Sequence, residues 1–173
     1  MSVEMAYSYK QWLLAVNLAA PLGWACVAVP MAMQSNLGVL LLAAIIGLPI
    51  AFLCCWVIGA PILRHVMRRE IGWLEAMGWG GVIALLIALV GIAIKLHLGW
   101  LQSINPNIGS QIGGGEYVLE KDGILTAYGW LMLGRSTMIF VAEGACVALF
   151  IWWVVGKPTS RREQQVGQQQ QNS

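Results

Sequence analysis

Residues 137–155 read TMIFVAEGACVALFIWWVV, an apolar run broken by one charged side chain, Glu143. At about 1.5 Å per residue a helix of that length reaches close to the roughly 30 Å of a bilayer's hydrocarbon core. The stretch therefore predicts a transmembrane helix with a lone carboxylate inside it. The rest of the chain has the same character. Of its 173 residues 58% are hydrophobic and 10% charged, where a soluble domain carries about 25% charged.

Working outward, no Asp, Glu, Lys or Arg occurs between Gln11 and Leu63. Those 53 residues would make a helix of roughly 80 Å, more than two hydrocarbon thicknesses, so the run must fold back once. Gln34, Ser35 and Asn36 are its only polar break. The reading is two helices, about 12–33 and 38–63, which so short a turn makes antiparallel neighbours. Pro21, Pro30, Pro49 and Pro61 predict kinks that neighbouring helices can accommodate in lipid. Ala15, Ala19 and Gly23, and then Ala43, Gly47 and Ala51, recur every four residues and give each helix a stripe of small side chains, which lets backbones approach closely. The run from Trp12 to Met33 exceeds a signal peptide's apolar region of roughly 7 to 15 residues, so it is expected to be retained.

A third helix is expected at about 79–100 and a fourth at about 136–155. Between them lies a loop, 101–135, in which Asp122 and Gly123 separate two short β-prone runs and predict a small β-hairpin. The rival reading takes 124–136 straight into the last helix. The fold expected is thus an all-α integral membrane protein: a bundle of four antiparallel transmembrane helices within a single domain, 1–156. The Gln-rich tail, 157–173, has nothing to bury and is expected to be disordered.

Orientation follows from the basic residues. Four spans put Lys10, Arg64, Arg68, Arg69, Lys157, Arg161 and Arg162 on one side, seven of the ten Lys and Arg. The positive-inside rule makes that side cytoplasmic, with both termini there and the protein in an inner or plasma membrane. Trp12, Trp73, Trp79, Trp152 and Trp153 would mark the inner interface, Trp100 and Trp130 the outer one. The net charge of +2 comes from local clusters rather than a basic surface and gives no support to nucleic-acid binding.

Chemistry has few places to sit. Glu143 and Lys95 are intramembrane charges, each best tolerated facing the bundle with a partner. Together they read either as an ion pair fixing two helices or as an ion path. His97, about 200° round the helix from Lys95, is a further ion-path candidate, and its position also suits water at the outer interface. Haem is disfavoured, because a bis-histidine site needs two histidines per haem and His65 falls on the other side. Cys54 and Cys146 come out at similar depth and are thiol candidates; buried cysteine also serves as a small hydrophobe. Met31, Met33, Met132 and Met138 could present a soft Cu(I) site or simply pack. No nucleophile motif, phosphate loop or carboxylate cluster appears, so no catalytic residue, metal or cofactor is assigned. The expected function is that of a non-enzymatic membrane protein working through helix or outer-loop contacts, such as an accessory subunit, assembly factor or immunity or exclusion protein. A membrane-protein partner or a homo-oligomer is implied. The alternatives are a homo-oligomeric transporter or channel using Glu143 and Lys95, and a membrane thiol oxidoreductase.

Overall fold

The computed structural model describes residues 7–32, 37–104, 111–114 and 117–156. In chain order these form α1 (Tyr9–Ala32), α2 (Leu37–Cys54), a π-helical turn (Cys55–Gly59), α3 (Ala60–Val66), α4 (Trp73–Ser103), β1 (Gln111–Ile112), β2 (Glu120–Lys121), β3 (Ile124–Leu125) and α5 (Ala127–Val155). Four helical segments, Tyr9–Ala28, Ala44–Val66, Trp73–Ser103 and Ala127–Val155, are long and apolar enough to cross a membrane. The chain is that of a mostly helical, multi-pass membrane protein.

Local chemistry sets the helix ends. Ser8 and Gln11 form a reciprocal capping box: the Ser8 amide donates to Gln11 Oε1 at 2.9 Å and the Gln11 amide to Ser8 Oγ at 3.3 Å. Two of the donors that a helix start leaves unpaired are thereby satisfied, and α1 begins at Tyr9. At the head of α4 the Gly72 amide donates to Glu75 Oε2 at 3.4 Å, with a carboxylate at the positive end of the helix dipole. Thr126 caps α5, its Oγ1 accepting from the Gly129 amide at 3.0 Å. Between α2 and α3 the Ala60 amide bonds to the Cys55 carbonyl, five residues back. That spacing makes the turn π-helical, and Pro61 begins the next helical segment.

Two compact units result, one of Met1–Ile83 with Glu143–Ser173 and one of Ala84–Ala142. The first, here the terminal unit, has a core of Tyr7, Ala15, Met67, Ile151 and Val155. Side-chain amides and indoles clasp backbone carbonyls around it. Gln11 Nε2 donates to Val155 O at 3.2 Å, Trp12 Nε1 to Ala60 O at 3.3 Å and Trp152 Nε1 to Ile71 O at 3.0 Å. Trp12 also meets Trp56 edge-on, with ring centroids 5.8 Å apart. Gly47 faces the Trp24 indole, where an added Cβ would stand 3.0 Å from Nε1. At Gly80 an added Cβ would strike the Gly144 carbonyl and the Ala148 methyl, so α4 and α5 cross there nearly backbone to backbone. The small-residue stripe on α1 is used unevenly: Ala15 is buried and Ala19 packs against the core, whereas Gly23 faces open space.

The second, the cap unit, carries a three-stranded antiparallel sheet ordered β1-β2-β3, with Gln111 opposite Lys121 and Glu120 opposite Leu125. Asp122 and Gly123, at φ 50 and 81, turn the chain between β2 and β3. Both sit in the left-handed region that Gly enters freely and Asp tolerates. The sheet is held to helix backbone at two glycine contacts. Gly99 lies against Gly123, and Gly129 against the Leu119 carbonyl, each too close to admit a Cβ.

Helix lengths differ from those expected. The last helix begins at Ala127 rather than near 136, and the third spans Trp73–Ser103 rather than 79–100. Their 31 and 29 residues make rods of roughly 46 and 43 Å, well beyond a 30 Å hydrocarbon core. The short strands β2 and β3 are followed directly by a helix that starts at Ala127, earlier than the 136 expected.

Candidate functional site

The cap unit holds the most elaborated polar arrangement among the described residues. Lys95 projects from α4 and its Nζ lies 3.7 Å from Oε2 of Glu120 on β2. The Glu120 side chain is 10% exposed and that of Lys95 52%, so the carboxylate is enclosed while the ammonium keeps an open side. Exposure of the lysine limits the pair to about 1 kcal/mol at most in water. One residue beyond β3, Thr126 ties the sheet to α5. Its hydroxyl donates to the Val118 carbonyl, has the Leu119 carbonyl at 3.3 Å, and accepts from the Gly129 amide. Thr126 N–H donates to the Leu119 carbonyl at 3.1 Å. Residues 118–126 are therefore folded against α5 rather than forming a slack connection. The cap unit also exposes apolar side chains: Ile112, Tyr117 and Ile124 are 52%, 65% and 63% exposed. Tyr117 is steadied edge-on by Tyr128, with centroids 5.5 Å apart.

Glu120 was one loop acid among several in the sequence; its burial as the partner of Lys95 was not singled out. The signal available was Lys95 itself, since an ammonium within an apolar helix calls for a carboxylate. His97 is exposed and stacks on Trp100, 6.2 Å between ring centroids and 29° between planes. Among the described residues no three His, Cys, Asp or Glu side chains gather as a metal site would need.

In the terminal unit Glu143 is partly buried and stands within electrostatic reach of Cys26, as does Cys146. Cys26 and Cys146 therefore lie within electrostatic reach of each other. Cys26, Cys54, Cys55 and Cys146 are all free thiols. Arg64 and Arg68 are exposed beyond the core, and Arg69 pairs with Glu75 at 3.5 Å. Lys157, Arg161 and Arg162 lie outside the described residues. Of the methionines, Met132 is half-buried and Met138 is exposed, while Met33 and the side chain of Met31 lie outside the described residues. Tyr7 is buried, and its hydroxyl has no hydrogen-bond partner among the described residues. Burial pushes the Tyr7 phenol above its usual range; the Ile71 backbone opposes this and the Glu70 carboxylate adds to it.

No protein-family model, curated protein or solved structure matches the chain.

Proposed function

We propose that the protein is a four-pass membrane protein that presents its cap as a docking platform to a membrane-embedded partner, as an accessory, assembly or immunity-type protein does. The reading rests on one observation. A segment that could have been a loose connection is folded onto helix backbone through Gly99, Gly129 and Thr126, yet it turns Ile112, Tyr117 and Ile124 outward. Exposed aromatic and aliphatic side chains on a rigid support suit protein recognition, because few rotamers are lost on binding. The spans run antiparallel in this reading. Trp12 meets Ala60 while Trp24 meets Gly47, a pairing that descends on one helix as it climbs on the other. By the positive-inside rule the basic residues of the loop and tail support a reading with both termini in the cytoplasm and the cap on the outer face of an inner or plasma membrane.

Two experiments test this. Mild-detergent purification of the full chain recovers a stoichiometric partner, and Tyr117→Ala with Ile124→Asp releases it while leaving helicity unchanged; a strictly solitary monomer counts against the reading. In sealed vesicles, cysteines engineered at Gly114 and Gln168 are labelled from opposite faces, and labelling from one face overturns the topology.

A further inference from the structure

An open groove of about 260 Å³ runs along the cap unit between α4 and α5, and the platform reading above does not use it. Ala88 and Gly91 line it from α4 and Phe140 from α5. Lys95 and Ser136 add an ammonium and a hydroxyl to this apolar lining. We propose that this groove binds an anionic glycerophospholipid, with one acyl chain along Gly91 and Phe140 and the headgroup phosphate on Lys95 and Ser136.

Depth, charge and shape each favour that occupant. Glu75, ion-paired with Arg69, must stand outside hydrocarbon, since charge inside it is costly. Lys95 follows twenty residues later on the same continuous helix, about 30 Å on, which is one hydrocarbon thickness. The ammonium therefore sits at the far boundary, at headgroup level, where a lysine stem extends naturally toward phosphate. Among the described residues its ion-pair partner is Glu120, whose carboxylate is enclosed at 3.7 Å while the ammonium side stays half exposed. An ammonium has three donors, so this ion pair leaves donors for a phosphate. The cap unit's described charges are Lys95, Lys121 and Arg135 against Glu120 and Asp122. The balance is one positive charge, with Arg135 exposed immediately before Ser136. Apart from Lys95, Ser136 and Thr137 the lining is apolar, with Ala88 and Gly91 leaving room beside Phe140 for a single chain.

The test uses the full-length protein reconstituted in phosphatidylcholine membranes with a trace of spin-labelled phosphatidylglycerol or spin-labelled phosphatidylcholine, reading the motionally restricted fraction of each. The anionic label is expected to be favoured about fivefold, the effect of one lysine near an anionic headgroup. Lys95→Gln brings the ratio close to one, and Lys95→Arg retains the preference. Gly91→Phe, at a position where an added Cβ meets nothing within 4 Å, fills the groove without touching the ion pair and lowers the restricted fraction of both labels. Unchanged helicity qualifies each variant, and Ser136→Leu provides a second groove-filling change. Equal affinity for the two labels in the unaltered protein overturns the proposal, as does a preference that survives Lys95→Gln. Displacement of the anionic label by inorganic phosphate alone would show that the headgroup is bound without the chain and would also overturn it. So would Ser136→Cys cross-linking to a second copy through the groove, which would make that copy the occupant.

Discussion

The terminal unit and the cap unit are held together by opposite means. In the terminal unit long side chains reach out: Gln11, Trp12 and Trp152 each donate to a distant backbone carbonyl around a core of Tyr7, Ala15, Met67, Ile151 and Val155. In the cap unit side chains are missing where they matter. Gly99 against Gly123 and Gly129 against Leu119 bring backbone to backbone, with Thr126 and the Lys95–Glu120 pair adding polar ties. Packing by side chains tolerates changes of similar volume. A contact made by the absence of a Cβ tolerates none, because the opposing atoms are backbone and cannot rotate away. Stability in the first unit is therefore spread over many positions, and in the second it is concentrated in a few.

Gly99→Val should be the most damaging test of that contrast. Forcing a branched side chain into the Gly123 backbone costs about 3 kcal/mol, the upper end of overpacking. Limited proteolysis should then cut within 111–126 while the Trp12 and Trp152 environments, read by fluorescence, stay as they were. Gly80→Leu is the counterpart in the terminal unit, at a contact that lies against Gly144 and Ala148. It should cost about 2–3 kcal/mol and lower the thermal midpoint without exposing the cap to protease. Thr126→Val keeps the volume but removes the hydroxyl from the Gly129 amide and the Val118 carbonyl, at about 1–2 kcal/mol, measurable as faster amide exchange at the head of α5. Trp152→Phe loses the bond to the Ile71 carbonyl and should cost about 1 kcal/mol in detergent unfolding.

Tyr7→Phe should be the mildest change, within about 0.5 kcal/mol at neutral pH, since its hydroxyl is buried without a hydrogen-bond partner among the described residues. Its sharper signature is alkaline. The folded phenol titrates above the ordinary 10.0, so its contribution is complete below that value and is lost as pH rises through the folded pKa. An unfolding titration should show this alkaline loss in the unaltered protein and less of it in the variant.

The spans were legible in the sequence because apolar composition and absent charge report solvent directly. The capping pair of Ser8 and Gln11 is equally local, a Ser-x-x-Gln pattern. The start of α5 was harder to place. Gly129, Gly134, Arg135 and Ser136 have the composition of a connection, yet they continue a helix that Thr126 has already capped. Length past the hydrocarbon explains how: a helix may carry polar residues once it has left the lipid. Asp122-Gly123 marked a turn because their backbone preferences are local. Glu120 as the partner of Lys95 was not legible, because the pairing joins β2 to α4 across a fold that spacing alone does not encode. The small-residue stripes were visible on α1 and α2, while the close helix crossing at Gly80 was not; membrane helices are rich in glycine and alanine, and which ones touch is a property of packing.

The π-helical turn at Cys55–Gly59 has a consequence for insertions and deletions. Such a turn is an α-helix that has accommodated one surplus residue, so excising a single position there should restore regular geometry and leave the flanking faces in register. Excision elsewhere in the same span would rotate everything beyond it by about 100° and turn the Trp12 acceptor at Ala60 away from its donor. A one-residue deletion scan along 44–66 should therefore be silent within that turn and disruptive on either side of it.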